Sequence, residues 1–108
     1  MEEKIREALR KTGIKSFFIM RDEKYLGECI VYNYTSSPGY YSDNKEKSRR
    51  YTILLNVYLT SKIEDKKSKI YDAMIEAGFK GGQIQRTEKE TIKELQYFNT
   101  PMMFKGRL

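Results

Sequence analysis

The chain has 108 residues, with 21 Lys and Arg against 15 Asp and Glu, one Cys and no His. This length corresponds to a single domain that spans residues 1–108. The lack of His excludes His-based catalytic triads and His–metal sites, and one Cys can supply neither a zinc site nor an intramolecular disulfide. The composition therefore predicts a protein that is not an enzyme and that needs no cofactor or metal.

Charge and hydropathy bear on where the protein works. No apolar run approaches the roughly 18 residues of a membrane-spanning helix, and the start of the chain lacks a signal-peptide pattern. We therefore expect a soluble intracellular domain without membrane contact. The net charge of +6 permits contact with nucleic acid. Residues 1–50 hold 11 basic and 8 acidic side chains, and residues 51–108 hold 10 and 7, so each half is +3 and no basic arm is predicted.

The first third of the chain predicts one helix and two strands. Apolar residues that recur at i, i+3, i+4 and i+7 predict a helix over about Glu3–Thr12, and Gly13 is suited to end it. Ser16–Met20 and Glu28–Tyr34 have the composition of strands. The polar segment Arg21–Gly27 between them predicts a hairpin connection.

The middle of the chain combines an irregular stretch with a strong strand signal. Thr35–Ser48 is polar and contains Pro and Gly, which predicts a long loop, and such loops are usually functional or disordered. In Arg50–Leu59, apolar and aromatic residues alternate with a mixed set. This alternation predicts a central strand with a helix on one side and a wetter surface on the other.

A second helix has signals at both ends. Ser61 and Glu64 form a capping box. The helix that they open runs to about Ala77. Gly78 is placed to end it, with Phe79 packing back in a Schellman arrangement.

The last segments complete the predicted order. A short strand is predicted at Gln83–Arg86, a turn or short helical turn at Thr87–Lys93, and a longer strand at Leu95–Phe104. Pro101 indicates an edge position or a bulge in that strand. The order α-β-β-β-α-(β)-β predicts an α+β fold, with a mainly antiparallel sheet of about four strands and two helices packed on one face.

Two patterns suggest contact with nucleic acid, and each has a plainer interpretation. Lys62, Lys66 and Lys69 form a basic stripe on the second helix, which is either a solvated helix surface or a phosphate-facing one. Tyrosines on two strands could stack on bases, as in RNA-binding sheets. Sheet packing and subunit contacts are the better account of these tyrosines, which are Tyr32, Tyr34 and Tyr58.

Five segments occur in a recognisable order along the chain: Pro38–Asn44, Tyr51–Leu59, Ser61–Lys62, Ile75–Phe79 and Tyr97–Phe104. In order and spacing they resemble the tail-completion, or tail-terminator, family of long-tailed bacteriophages and prophages. The resemblance covers nearly the whole chain, from about Ile5 to Gly106. It implies a structural virion protein of the tail, made in the cytoplasm of the bacterial host.

The resemblance also implies partners. Proteins of this kind form a ring, commonly of six subunits, that ends tail-tube growth and joins the tail to the head connector, while DNA passes through the ring. On this basis we expect the subunit or partner interface to include Tyr40, Tyr41, Asp43, Arg49 and Arg50. Lys62, Lys66 and Lys69 are the candidate DNA-facing residues. The alternative is a small basic regulatory protein that binds nucleic acid through the lysine stripe and the sheet aromatics.

Overall fold

Two helices and six strands make up the described part of the chain. The computed structural model describes residues 1–42 and 45–107, and within them the side chains of residues 1–37 and 49–107. In chain order the elements are α1 Glu2–Arg10, β1 Lys15–Phe18, β2 Cys29–Ser42, β3 Lys45–Leu59, α2 Ile63–Glu76, β4 Lys80–Ile84, β5 Glu88–Ile92 and β6 Leu95–Arg107. The predicted α+β class is confirmed, with six strands where about four were expected.

The described strands form one sheet, in the order β1-β2-β3-β6-β4, and β5 pairs with β6 on the same side as β4. The described pairings are antiparallel except for β1 with β2, where Lys15 lies opposite Cys29 and Phe18 opposite Tyr32 in parallel. The hairpin predicted across Arg21–Gly27 is therefore wrong. A polar connection between two strands does not by itself specify whether the chain reverses or crosses over.

Residues 19–28 make this crossover on the sheet face opposite the helices. The Arg21 guanidinium lies over the rings of Tyr58 and Tyr97, 5.0 and 4.8 Å from their centres. The Tyr97 hydroxyl donates a hydrogen bond to the Leu26 carbonyl. Parallel strands need a connection that passes across the sheet. These contacts hold that connection in place and cover part of the open face.

The two helices pack on one face of the sheet, as predicted. Leu54, which points to the other face of β3, is 38 % exposed, in keeping with the alternation in the sequence. Within the described ranges, neither helix has the length and apolar character needed to span a membrane. The buried cluster between helices and sheet includes Ile5, Ala8, Leu9, Ile53, Leu55, Val57, Leu59, Ile70, Met74, Phe79, Met102 and Phe104.

The C-terminal end of α2 confirms the predicted Schellman motif. Gly78 has a φ of 101°, which favours glycine. Its amide donates to the Ile75 carbonyl at 3.0 Å, and the Phe79 amide donates to the Met74 carbonyl at 3.1 Å. These bonds satisfy two helix carbonyls and turn Phe79 back into the core.

The N-terminal end of α2 does not form the predicted capping box. The N-cap residue is Lys62, with a φ of 48° and no side-chain capping bond. Instead, the Glu28 carboxylate, just before β2, accepts hydrogen bonds from the amides of Thr60 and Ser61, at 2.8 and 3.4 Å. It also accepts a bond from the Lys66 ammonium at 2.6 Å. Glu28, which is distant in sequence, thus holds the backbone of residues 60 and 61 just before α2 begins.

The long loop predicted at Thr35–Ser48 is also wrong. β2 continues to Ser42 and β3 begins at Lys45, so the stretch belongs to a hairpin, with irregular register around Tyr40. The sequence of this stretch contains Pro38, Gly39 and many polar residues and shows no alternation of apolar and polar residues. It therefore carries no periodic strand signal.

Polar strands explain the differences near the C-terminus. The segment predicted as a turn, Thr87–Lys93, contains β5, whose residues are almost all exposed and therefore lack alternation.

Pro101 lies inside the sheet and not at an edge, since β6 has β3 on one side and the two short strands β4 and β5 on the other. Its carbonyl accepts a bond from the Gln85 amide at 2.9 Å, in the gap between β4 and β5. A residue without an amide hydrogen is tolerated there because neither ladder needs one.

Candidate functional site

The outer part of the β2–β3 hairpin extends beyond the other strands. β1 pairs with β2 only as far as Tyr32, and β6 pairs with β3 only as far as Arg50. Farther out, residues 38–42 and 45–49 form what we call the outer hairpin. In the described part of the chain these two strands pair only with each other. The molecule is accordingly elongated, with extents of 55 × 26 × 23 Å.

Among the described residues, the outer edge of each strand in the outer hairpin has no neighbouring strand. An isolated two-stranded hairpin is only marginally stable in water. Unpaired strand edges are also templates for pairing with another chain. The hairpin is thus a structural feature that a neighbouring subunit or partner would stabilise.

The residues predicted for the subunit interface lie on or near this hairpin. The backbones of Tyr40 and Tyr41 belong to β2 in the outer hairpin, whereas their side chains, and Asp43 entirely, lie outside the described residues. The Arg49 guanidinium donates to the Ser36 hydroxyl across the hairpin at 3.3 Å. The interface role of these residues remains a prediction.

Three consecutive apolar residues are exposed at the end of β1. Phe18, Ile19 and Met20 are 40 %, 59 % and 67 % exposed. Ile19 has a φ of 74°, an unfavourable backbone conformation for a β-branched residue. Its amide donates to the Tyr32 carbonyl at 2.8 Å, so the patch sits against the edge of β2. A run of exposed apolar residues is unusual in a monomer unless it has a function.

A cavity of about 580 Å³ lies at the base of the hairpin. Among the described residues, five basic residues and no acidic residue line it. They come from α1, β3, β4 and β6, and we call this the basic cavity. Its cationic residues are Lys4, Arg50, Lys80, Lys105 and Arg107.

The sheet register places cations of the basic cavity directly opposite one another. Arg50 faces Arg107 across β3 and β6, and Lys80 faces Lys105 across β4 and β6. Like charges at directly opposed positions destabilise a sheet. The Lys4 ammonium lies 4.9 Å from the centre of a phenylalanine ring rather than beside an acid. The fold thus concentrates positive charge at this point and tolerates the repulsion.

Sequence reasoning missed four of these five residues, and no local pattern marks them. Lys4, Lys80, Lys105 and Arg107 lie on three elements that meet only in the folded chain. The even division of charge between the two halves of the sequence concealed this concentration.

The predicted lysine stripe on α2 is interrupted. Lys66 pairs with Glu28, with both side chains about three-quarters buried, whereas Lys62 and Lys69 are exposed. Burial alone would raise the pKa of the Glu28 carboxyl, but the hydrogen bonds from Lys66 and from the backbone of residues 60 and 61 lower it. Lys66 therefore stabilises the start of α2 by its pairing with Glu28, and Lys62 and Lys69 are the two lysines of the stripe that are exposed.

The tyrosines considered for base stacking do not form one surface. Tyr32 is buried under α1, where its hydroxyl donates to the Glu2 carboxylate at 2.8 Å, and burial raises its pKa. Tyr34 lies on the same face of β2, and Tyr58 lies on the opposite sheet face beneath Arg21. Packing is therefore the better explanation of these rings, as the sequence analysis favoured.

The Cys29 thiol and the acidic side chains are the other groups that could carry chemistry. Burial raises the pKa of the Cys29 thiol, which is fully buried. In residues 1–42 and 45–107, no three His, Cys, Asp or Glu side chains come together in a way that could hold a metal ion. The features that remain are the outer hairpin, the apolar patch and the basic cavity.

Comparison with known proteins leaves these features as the basis for assigning a function. No protein-family model matches the chain. No curated protein is significantly similar to it.

Proposed function

We propose that this protein is a structural subunit that assembles through its β2–β3 hairpin into a closed ring, the kind of assembly that the resemblance to phage tail-completion proteins implies. The observation that carries the proposal is the outer hairpin, which extends from the sheet without a third strand in the described part of the chain. A neighbouring subunit that adds a strand to one of its edges would satisfy its backbone groups.

The apolar patch at Phe18–Met20 supplies a second, different contact surface. It lies on the edge of the sheet at the end of β1 that points toward the outer hairpin, with the Phe18 ring stacked on Tyr34 of β2. An interface in which one subunit presents the hairpin and the next presents the patch is heterologous. Such interfaces form rings when the rotation between subunits closes.

The role within a virion rests on the sequence resemblance. A ring at the head-proximal end of the tail would end tube growth, join the tail to the head connector and leave a passage for DNA. Six subunits and the predicted interface residues belong to this proposal. The alternative, a regulator that binds nucleic acid through the lysine stripe and sheet aromatics, has less support because Lys66 is paired and Tyr32 is buried.

Measurement of the oligomeric state tests the proposal. We would compare the wild-type protein with a variant in which residues 38–49 are replaced by an Asn-Gly turn, and with Met20→Asp. Light scattering over a concentration series should show a discrete oligomer for the wild type and its loss in both variants. Leu95→Asp is the matched control, since Leu95 is an exposed apolar residue on β6, outside the proposed contacts.

Folding of each variant is checked separately by thermal unfolding. A wild-type protein that stays monomeric up to its solubility limit, alone and with a tail-tube protein, would contradict the proposal. A folded variant without the outer hairpin that still forms the wild-type oligomer would contradict the role of the hairpin.

A further inference from the structure

We propose that the basic cavity binds the phosphate backbone of a nucleic acid. This inference goes beyond ring formation and stands on the cavity alone, so it holds whether or not the chain oligomerises. The residues concerned are distinct from the lysine stripe of α2.

The first argument is uncompensated charge. Lys4, Lys80, Lys105 and Arg107 line the basic cavity, and none lies within ion-pair distance of a carboxylate in the part of the chain that the structure describes. Two cross-strand pairs oppose like charges, which costs stability in the absence of an anion. A bound polyanion would convert this repulsion into attraction.

A second cavity in the same protein shows the contrast. It has a volume of about 430 Å³ and is lined by Arg6 and Arg10, among others. Both arginines have acidic neighbours on α1, at 3.9 Å from Glu2 and 3.0 Å from Glu7. Two of the three cations that line this second cavity, all but Lys15, therefore have an acidic neighbour, whereas the four cations of the basic cavity named above have none among the described residues.

The spacing of the cations suits a chain of phosphates. Lys105 and Arg107 are two residues apart on β6, so they lie on the same face about 6.8 Å apart along the strand. Lys80 is opposite Lys105 on the adjacent strand, about 4.8 Å away. The row can contact consecutive phosphates, with the Arg107 guanidinium able to bind two oxygens of one group.

The number of charges favours a nucleic acid over a second copy of this chain. Four cations without an acidic neighbour among the described residues call for several negative charges held close together. The described carboxylates that pair with lysine or arginine on this chain, such as Glu2, Glu7 and Glu64, are already engaged. Successive phosphodiesters supply one negative charge each at a regular spacing.

Binding to a fluorescently labelled duplex DNA of mixed sequence, measured by anisotropy over a salt series, tests the inference. The cavity variant is Lys80→Gln with Lys105→Gln, and the matched control is Lys11→Gln with Lys24→Gln, which removes the same charge from two exposed lysines outside the basic cavity. We expect the slope of log K against log salt to fall by about 1.8 in the cavity variant, because each phosphate contact contributes about 0.9. The slope of the control should stay at the wild-type value.

Three results would overturn the inference. The wild type could fail to bind DNA at low salt, or both variants could lose affinity equally, which would indicate a diffuse effect of net charge. Polyglutamate could also bind more tightly than DNA of equal charge, which would indicate an acidic protein partner. Thermal unfolding provides the folding check, and the cavity variant should be at least as stable as the wild type because it removes a like-charge pair.

Discussion

Glu28 makes the contacts that most directly link the crossover segment to α2, and Glu28→Gln tests them. The wild-type carboxylate accepts bonds from the Lys66 ammonium at 2.6 Å and from the Thr60 amide at 2.8 Å. Glutamine keeps the size and one acceptor of the side chain but removes its charge. The substitution therefore isolates the electrostatic part of the contact.

The size of the effect follows from burial and charge. Hydrogen bonds to charged groups contribute roughly 1.5–3 kcal/mol each to the free energy of unfolding. The side chains of Lys66 and Glu28 are 25 % and 23 % exposed, so solvent screens the pair only in part. Because glutamine can still accept a hydrogen bond, we expect a loss of about 2 kcal/mol at neutral pH.

The pH dependence has a definite sign. The reference pKa of the Glu28 carboxyl is 4.5, and its pKa in the folded protein is lower. The stabilisation by Glu28 is therefore complete above pH 4.5 and is lost as the pH falls through the lower pKa of the folded state. Once the carboxyl is protonated, the wild type resembles the glutamine variant, so their stabilities should converge in acid.

Urea unfolding followed by circular dichroism, at neutral pH and well below pH 4.5, measures both effects. Glu64→Gln is the control, because Glu64 also pairs with a lysine, at 3.0 Å, but is 86 % exposed. Its loss should be under about 0.5 kcal/mol. Equal stability of the wild type and Glu28→Gln at neutral pH, or a difference that persists undiminished in acid, would refute this reasoning.

Three other substitutions test local packing by thermal or urea unfolding. Gly78→Ala should lower the free energy of unfolding by about 1–2 kcal/mol, since its φ is 101°; an unchanged melting temperature would contradict the Schellman assignment. Gly106→Ala should cost about 1–3 kcal/mol, because the added methyl would lie 2.8 Å from a ring carbon of the buried Phe79; a neutral effect would mean that the ring can move aside. Arg21→Leu should lower the free energy of unfolding by about 1–2 kcal/mol, because it removes a cation stacked on Tyr97 and two hydrogen bonds to nearby carbonyls. It should also change the near-ultraviolet circular dichroism spectrum, and an unchanged spectrum would argue against the stacking.

Local patterns in the amino-acid sequence determined the elements that bury one face. The helix that ends at the Schellman motif of Gly78 and the alternating part of β3 were predictable, because burial imposes a period of 3.6 or 2 residues. The helix-on-sheet layout followed from their order. β5 was not predictable in this way, because a strand whose residues are almost all exposed carries no period, and the sequence of the outer hairpin shows no alternation either.

Only the tertiary structure decided which distant residues meet. It brings Glu28 to the start of α2, runs β1 parallel to β2, and gathers Lys4, Lys80 and Arg107 around one cavity. Each outcome depends on strand order and register, which are set by the packing of the whole sheet and not by neighbouring residues in the chain. A sequence with three excess positive charges in each half can therefore fold into a protein in which five basic residues from distant segments line one cavity.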